Sequence, residues 1–402
     1  MDKEVLEVVL KKLAKESSVA SIVDVEAVPA LPKGENYSST ILRVSANVVL
    51  GNGRMAKKSF IMKQLVTEGK GGELMKEYNV ARQETHVYTV ILKQMSYLME
   101  EFEDTDEPLW CNFVHYDPEL SYILLEDLKA SGYSCVPRQE SLDLDHAILA
   151  LRGLGRFHGM AKVLEQRGII SNDNKPNELF NDFKLIRCFP YAGILNVSKA
   201  IKSWGPDWEE ASNKLKIPFE PFAEMWRSMG KAPTDTEFIV LNHGDCWSNN
   251  IMFKYDFQNR PIIVKFLDFQ NPTYNTSCMD VTNLLYLGIK PTVRRSNYKI
   301  LLETYHDSLV RSLDKFGFTG TKPTLKEITA SMKRLEVIGL TNFTAFYAGL
   351  VGLSTEHVNI EKLLTTNGEE GFNEDVIREP GMIEKLGPDI LDFVERYIPT
   401  FH

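Results

Sequence analysis

Two carboxylates and an amide mark the part of this 402-residue chain where chemistry can be read from residue type and spacing. Asp245 follows the strand-like run Phe238 to Leu241, Asn250 stands five residues on, and Asp268 stands 23 residues after Asp245 at the end of a second apolar run, Ile262 to Leu267. Groups of metal-ligand type beside a proton-accepting carboxylate, each just past a strand end where a rigid sheet can aim it, make the layout of a phosphoryl-transfer site. In that layout Asp245 takes the proton of an acceptor hydroxyl. Asn250 and Asp268 offer Mg²⁺ the hard oxygens it prefers, with water and phosphate completing the octahedron. A Gly-Asp pair alone is an ordinary turn; positions 250 and 268 carry the reading. The base need not be strong, because positioning and charge neutralisation supply most of the acceleration in phosphoryl transfer.

A phosphate clamp is expected upstream. Lys63, flanked by apolar residues on a strand, can reach the α- and β-phosphates of ATP if a carboxylate holds it, and Glu84 on the following helix is the natural partner. Read singly, the two are a solvated strand lysine and a surface helix residue; their order ahead of the catalytic segment favours the clamp. The loop holding Gly34, Asn36, Tyr37, Ser38 and Ser39 occupies the place of a phosphate-covering loop, although it has one glycine and reads equally as an ordinary turn. Backbone groups around Glu126 and Leu128 stand where a hinge would hold adenine, or where a buried strand simply ends in an acidic residue. His158 reads as a satisfied structural histidine. Asp280 reads either as a helix N-cap or as a brace for the backbone of the catalytic loop.

The elements that must position these groups follow from periodicity. An amphipathic helix is expected over 3–16, then a turn-rich loop, then strands Thr40 to Leu50 and Lys57 to Leu65 joined by a Gly51-Asn52-Gly53 hairpin. A helical stripe from Lys76 to Leu98 and two strands, Cys111 to Tyr116 and Ser121 to Leu128, complete a strand-rich first part. From Asp143 onward the pattern is mostly helical, with Ala147 to Gln166 and Leu325 to Leu350 the strongest helices and residues 238–270 a strand-rich island. The expected class is α+β and bilobal: residues 1–128 a small antiparallel-sheet lobe for nucleotide, and 129–402 a helical lobe with the catalytic loops and acceptor pocket.

Bulk properties narrow the partners. A net charge of −9 argues against nucleic acid and against an anionic membrane surface. Five scattered cysteines show neither a disulfide framework nor zinc-ligand spacing, and the start lacks signal-peptide features, so a reducing, cytoplasmic setting is expected. Oligomeric state leaves no trace in the sequence.

His243-Gly244-Asp245-Cys246-Trp247-Ser248-Asn249-Asn250 with Asp268-Phe269-Gln270 resembles the ecdysteroid-kinase-like (CHK kinase-like) family, within the choline kinase and aminoglycoside phosphotransferase group. Gly34-Glu35-Asn36-Tyr37 with Ser39, the Glu84 to Tyr88 spacing and Leu125-Glu126-Asp127-Leu128 share in the likeness, which runs from about residue 20 past 350. Two departures are visible: Val80 where an aromatic often begins the Glu84 motif, and no proline in Ser277-Cys278-Met279 ahead of Asp280. The resemblance implies a protein-kinase-like fold and transfer of the γ-phosphoryl of ATP, with Mg²⁺, to an ecdysteroid-like or xenobiotic alcohol. By motif, Asp245 takes the base role, Asn250 and Asp268 the metal, and Lys63 with Glu84 the clamp. Two other readings stay open: a choline-, ethanolamine- or aminoglycoside-type kinase with Trp204, Asp207, Trp208 and Glu209 as cage walls, and a catalytically silent binder of a hydrophobic ligand. The acceptor pocket is expected within 180–230 and 285–350, where Phe180, Phe183, Trp204, Trp226, Phe343 and Tyr347 either line it or fill the core.

Overall fold

Alternation of apolar and polar residues builds the first part of the chain into an antiparallel sheet, with β1 (Val19–Pro29), β2 (Ser39–Leu50), β3 (Met55–Leu65), β4 (Phe113–Asp117) and β5 (Tyr122–Glu126) in the order β1-β2-β3-β5-β4. The computed structural model describes Leu6 and residues 19–31, 39–65, 68–118, 121–171, 182–230, 237–354 and 357–401. The helix expected over 3–16 lies outside the described residues apart from Leu6. Val44, Ala46 and Val48 of β2 and Phe60 and Met62 of β3 bury one face of the sheet in a compact apolar cluster. Strand periodicity then sends Lys63 to the opposite face. The expected hairpin is present, with Gly53 at φ +79° in its turn. β1 was not expected: its exposed outer face and edge position give it little apolar alternation to read.

The stripe expected as one helix over 76–98 is segmented. Helix Gly69–Glu77 ends before Asn79, whose left-handed φ of 50° restarts the chain as Val80–His86. A π-helical turn, Val87–Ile91, follows immediately, and Leu92–Glu101 continues the direction. Such turns insert a residue into the helical ladder and re-aim the side chains beside it.

Beyond residue 143 the chain is mostly helical. Leu144–Gln166 and Leu325–Val351 are long and well buried, the second opened by a Thr324/Glu327 capping box. The strand-rich island resolves into two small antiparallel pairs, β6 (Ile239–Asn242) with β9 (Thr273–Thr276), and β7 (Ile251–Tyr255) with β8 (Pro261–Phe266). One continuous hydrophobic core joins the Val87–Glu101 segments, β5 and the helical part, so the segment that directly continues the helix carrying Glu84 packs on the same core as the residues around Asp245 and Asp268. The α+β, bilobal kinase-like class read from the sequence is the class observed.

Candidate active site

The loop after β6 is built around a glycine that nothing else can replace. Gly244 sits at φ +84°, and a Cβ there would lie 1.7 Å from the Asn271 carbonyl oxygen. Asp280, from the first turn of helix Cys278–Asn283, grips this loop by its backbone: Oδ2 accepts the His243 N–H at 2.6 Å and Oδ1 the Gly244 N–H at 2.9 Å. Asp280 is therefore the brace and not the N-cap, which is Ser277. His158 Nε2 lies 3.1 Å from Asp280 Oδ2 and its Nδ1 2.8 Å from the Tyr305 hydroxyl, so this fully buried histidine is satisfied by protein partners, as expected. Burial works to raise the Asp280 pKa, but the hydrogen bond and electrostatic pull of His158, the nearby His243 and the Gly244 N–H outweigh it and hold it low.

His243 ties the two catalytic loops together. Its Nδ1 accepts the Asp245 N–H at 3.2 Å, which leaves Nε2–H to donate to the Leu267 carbonyl at 2.9 Å. That tautomer is the neutral one, in keeping with a pKa lowered chiefly by burial. The Leu267 N–H in turn donates to the Asn250 carbonyl at 2.8 Å. Phe269 then stacks between His243 (centroids 4.6 Å apart) and Tyr88 (5.6 Å, edge-on), linking the catalytic loop, the Asp268 loop and the π-helical turn after Glu84.

On this frame the expected polar groups converge. Asn250 Nδ2 donates to both Asp245 Oδ2 and the Asp245 carbonyl at 2.9 Å, so its Oδ1 is the atom that could meet a metal. Lys63 Nζ donates to Glu84 Oε2 at 2.7 Å and to Asp268 Oδ1 at 2.5 Å. Asp268 reaches that position from a left-handed backbone (φ 63°), a conformation that Asp tolerates better than most residues. Burial opposes the Lys63 ammonium, but the Asp268 and Glu84 carboxylates more than offset it and raise its pKa. Burial pushes Glu84 upward against the pull of Lys63, and Glu84 Oε1 is buried without a hydrogen-bond partner among the described residues. Asp245 is pushed up to about 7, first by burial and then by the charge of Asp268.

The donor set fits Mg²⁺ with nucleotide. The Asp268 carboxylate and the Asn250 amide oxygen are of the hard kind that Mg²⁺ takes, and the electrostatic burden of Asp268 on Asp245 is one that a divalent cation offsets. Among the described residues no cluster of three or more His, Cys, Asp or Glu is placed to hold a metal by itself. A Mg²⁺ here would need phosphate and water oxygens as well, which is its usual mode with nucleotides.

Next to Asp245 opens a cavity of about 460 Å³. Gly244, Asp245, Cys246 and Trp247 form one end. Leu185, Phe189 and Pro190 from the helical turns at 183–191, Trp226, and Ala345, Phe346 and Gly349 from helix Leu325–Val351 form apolar walls, closed by His357, Phe372 and Val376 from the chain beyond. Asp245 is the one charged group among the described lining residues. His357 packs its ring directly on Gly349, and burial, then Arg138, lowers its pKa to about 4, so it is neutral near pH 7.

The remaining expectations distribute as follows. Gly34, Asn36, Tyr37 and Ser38 lie outside the described residues, whereas Ser39 is buried at the start of β2. The Glu126 N–H donates to the Asn112 carbonyl, and the Leu128 carbonyl accepts from Ser131 and Tyr133, so these particular backbone atoms are already paired. The neighbouring Asp127 holds Arg43 (2.7 Å) and Ser59 (2.6 Å), fastening β2 and β3 to the end of β5. Of the aromatic residues weighed for the acceptor pocket, Trp226 lines the cavity, Phe343 and Tyr347 are core, Phe183 is largely exposed, and Phe180 lies outside the described residues. Trp204 and Trp208 meet each other edge-on at 4.8 Å away from the cavity lining. The lining residues from 357 to 377 and the amides of Asn271, Asn283 and Asn342 were not anticipated; Asn342, set among mostly apolar residues in the second half of its helix, was the available signal.

No curated protein matches the chain. Among solved structures, a microcompartment-associated aminopropanol kinase aligns at 12% identity over 99% of this chain and 98% of that one, with a TM-score of 0.41. The ecdysteroid kinase-like family profile matches residues 33–318, most of the chain, and spans Lys63, Glu84, Asp245, Asn250, Asp268 and Asp280. The chain thus belongs to the ecdysteroid kinase-like family and is of small-molecule kinase type.

Proposed function

We propose that the protein transfers the γ-phosphoryl of ATP, with Mg²⁺, to a hydroxyl of a neutral, largely apolar alcohol of ecdysteroid-like or xenobiotic kind. The observation that carries this reading is the position of Asp245 at one end of a cavity whose other described walls are uncharged. Bound Mg-ATP supplies the phosphoryl group and the leaving ADP. Asp245 orients the acceptor hydroxyl toward phosphorus and takes its proton as the new O–P bond forms, and Asn250 fixes the Asp245 rotamer through its Nδ2. Asp268 and Asn250 Oδ1 are the metal ligands, and Lys63, steadied by Glu84, is the phosphate clamp. A cationic acceptor calls for an acidic or aromatic cage, and the walls considered for one, Trp204 to Glu209, are not part of the cavity lining.

The test is incubation with Mg-ATP and a panel of ecdysteroids, phenolic glycosides and choline, with mass spectrometry to detect a gain of one phosphoryl group. A neutral alcohol should be phosphorylated, and Asp245→Asn should reduce the rate at least about 100-fold while nucleotide binding persists. Phosphorylation of choline alone would overturn the acceptor class. Binding of a steroid with no product would make the chain a ligand-binding protein instead.

A further inference from the structure

The acceptor cavity is apolar along most of its length, but helix Leu325–Val351 breaks that wall with Asn342 at the position one turn before Ala345 and Phe346. Asn283, the last residue of helix Cys278–Asn283, faces it: Asn342 Nδ2 donates to Asn283 Oδ1 at 3.2 Å. Both residues line the cavity. That bond uses one N–H of Asn342 and the carbonyl of Asn283, so the N–H donors of Asn283 and the carbonyl acceptor of Asn342 are left with no further hydrogen bond among the described residues. An amide pair kept half-exposed in an apolar wall is best satisfied by a ligand oxygen that both donates and accepts.

The pair is also held in fixed register with the reacting centre. Asn283 lies one helical turn after Asp280, whose carboxylate grips the backbone N–H groups of His243 and Gly244 beside Asp245. A group bound at the pair is therefore placed at a set distance from Asp245 by a single rigid turn of helix and its clamp. His357, neutral near pH 7, adds no charge that would select an ionic group instead.

We propose that the Asn283–Asn342 amide pair determines acceptor specificity by taking a second oxygen function, a hydroxyl or carbonyl, of a rigid apolar polyol whose reacting hydroxyl meets Asp245. This rests on the kinase reading above for the reaction, but not for the binding. A site made to hydrogen-bond a hydroxyl rejects the analogue lacking it far more strongly than an apolar wall would.

The experiment is a ligand-by-protein mutant cycle on the full chain. Equilibrium binding and kcat/KM are measured for a steroidal polyol and a series of its mono-deoxy analogues, with wild type, Asn283→Ala and Asn342→Ala. In wild type, one mono-deoxy analogue should bind on the order of 10-fold more weakly than the parent. In both variants the parent should fall to the level of that analogue, with the analogue's own affinity and the KM for ATP unmoved. Thermal melting checks folding, and Asn342→Ser replaces Asn342→Ala if the latter melts early. An unchanged parent-to-analogue ratio in both variants, with phosphorylation intact, overturns the pair and leaves the kinase reading standing. The expected ratios without any phosphoryl transfer support the pair and overturn the kinase reading. Failure of wild type to bind any steroidal polyol overturns the pair as a polyol site and leaves the kinase reading to stand or fall on the mixed acceptor panel.

Discussion

Lys63 shows what this site demands of a single side chain. It is 4% exposed, and its partner Glu84 is wholly buried, so each ion survives out of water only because the other, with Asp268, compensates it. Lys63→Ala leaves Glu84 as an uncompensated buried carboxylate and should cost about 3 kcal/mol of stability by denaturant unfolding. Turnover in the same variant should drop at least about 100-fold through loss of phosphate positioning. Adding Glu84→Gln should restore much of the stability and none of the rate; a Lys63→Ala enzyme with near-normal rate would refute the clamp. Asp280 makes a second prediction at this scale. Its folded pKa is held below the ordinary carboxylate value, so its contribution is present above about pH 4 and is lost as pH falls through the folded value. Asp280→Asn should therefore melt well below wild type at pH 7, and the two melting curves should converge as the pH is lowered past 4. Parallel curves at all pH values would show that the carboxylate charge is not what holds the loop.

Elements set the geometry that residues exploit. The turn between β6 and the catalytic loop closes only because Gly244 has no Cβ, with the Asn271 carbonyl occupying the space a side chain would take. Gly244→Ala must meet both a positive φ and a backbone clash, so it should destabilise the protein by about 2 kcal/mol or more. Because relief of the clash moves the loop that carries Asp245, activity should fall far more than melting temperature does; full activity at a normal melting temperature would mean the loop relaxes elsewhere. Helix irregularities are placed with similar economy. The π-helical turns at Val87–Ile91, Arg187–Tyr191 and Leu284–Gly288 carry Tyr88 against Phe269, Phe189 and Pro190 into the cavity wall, and Leu287 into the same wall. Each re-aims side chains that a regular helix would turn elsewhere.

At the scale of the whole molecule, the acceptor preference follows from where charge is and is not. The chain carries a net −9, yet the described lining of the cavity holds a single carboxylate, Asp245, which is engaged by Asn250. An apolar enclosure of about 460 Å³ is of the size that buries most of a drug-sized or steroid-sized ligand. A single carboxylate in a mainly uncharged lining gives a quaternary ammonium little electrostatic return for its desolvation, which is why neutral alcohols are expected to outrank choline in the acceptor panel.

Local spacing in the sequence was enough to single out the polar groups that the fold then brings together. Asp245, Asn250 and Asp268 lie within 24 residues of chain, bounded by apolar strands, so local spacing was enough to group them. Lys63 and Glu84 were legible for the same reason, since strand and helix periodicity fix which face each occupies. The antiparallel sheet and the long helices followed from the same periodicities, while edge strand β1 and the π-helical turns, which have no apolar period of their own, did not. Tertiary structure alone decided the acceptor pocket: its walls come from segments around 185, 226, 245, 283, 345 and 357–377, brought together by packing across the helical core. It alone settled the role of Asp280, whose carboxylate meets backbone groups 36 and 37 residues away. Periodicity reports which way a side chain points from its own element; it carries no information on which distant element stands opposite, and that is what makes a cavity neutral or charged.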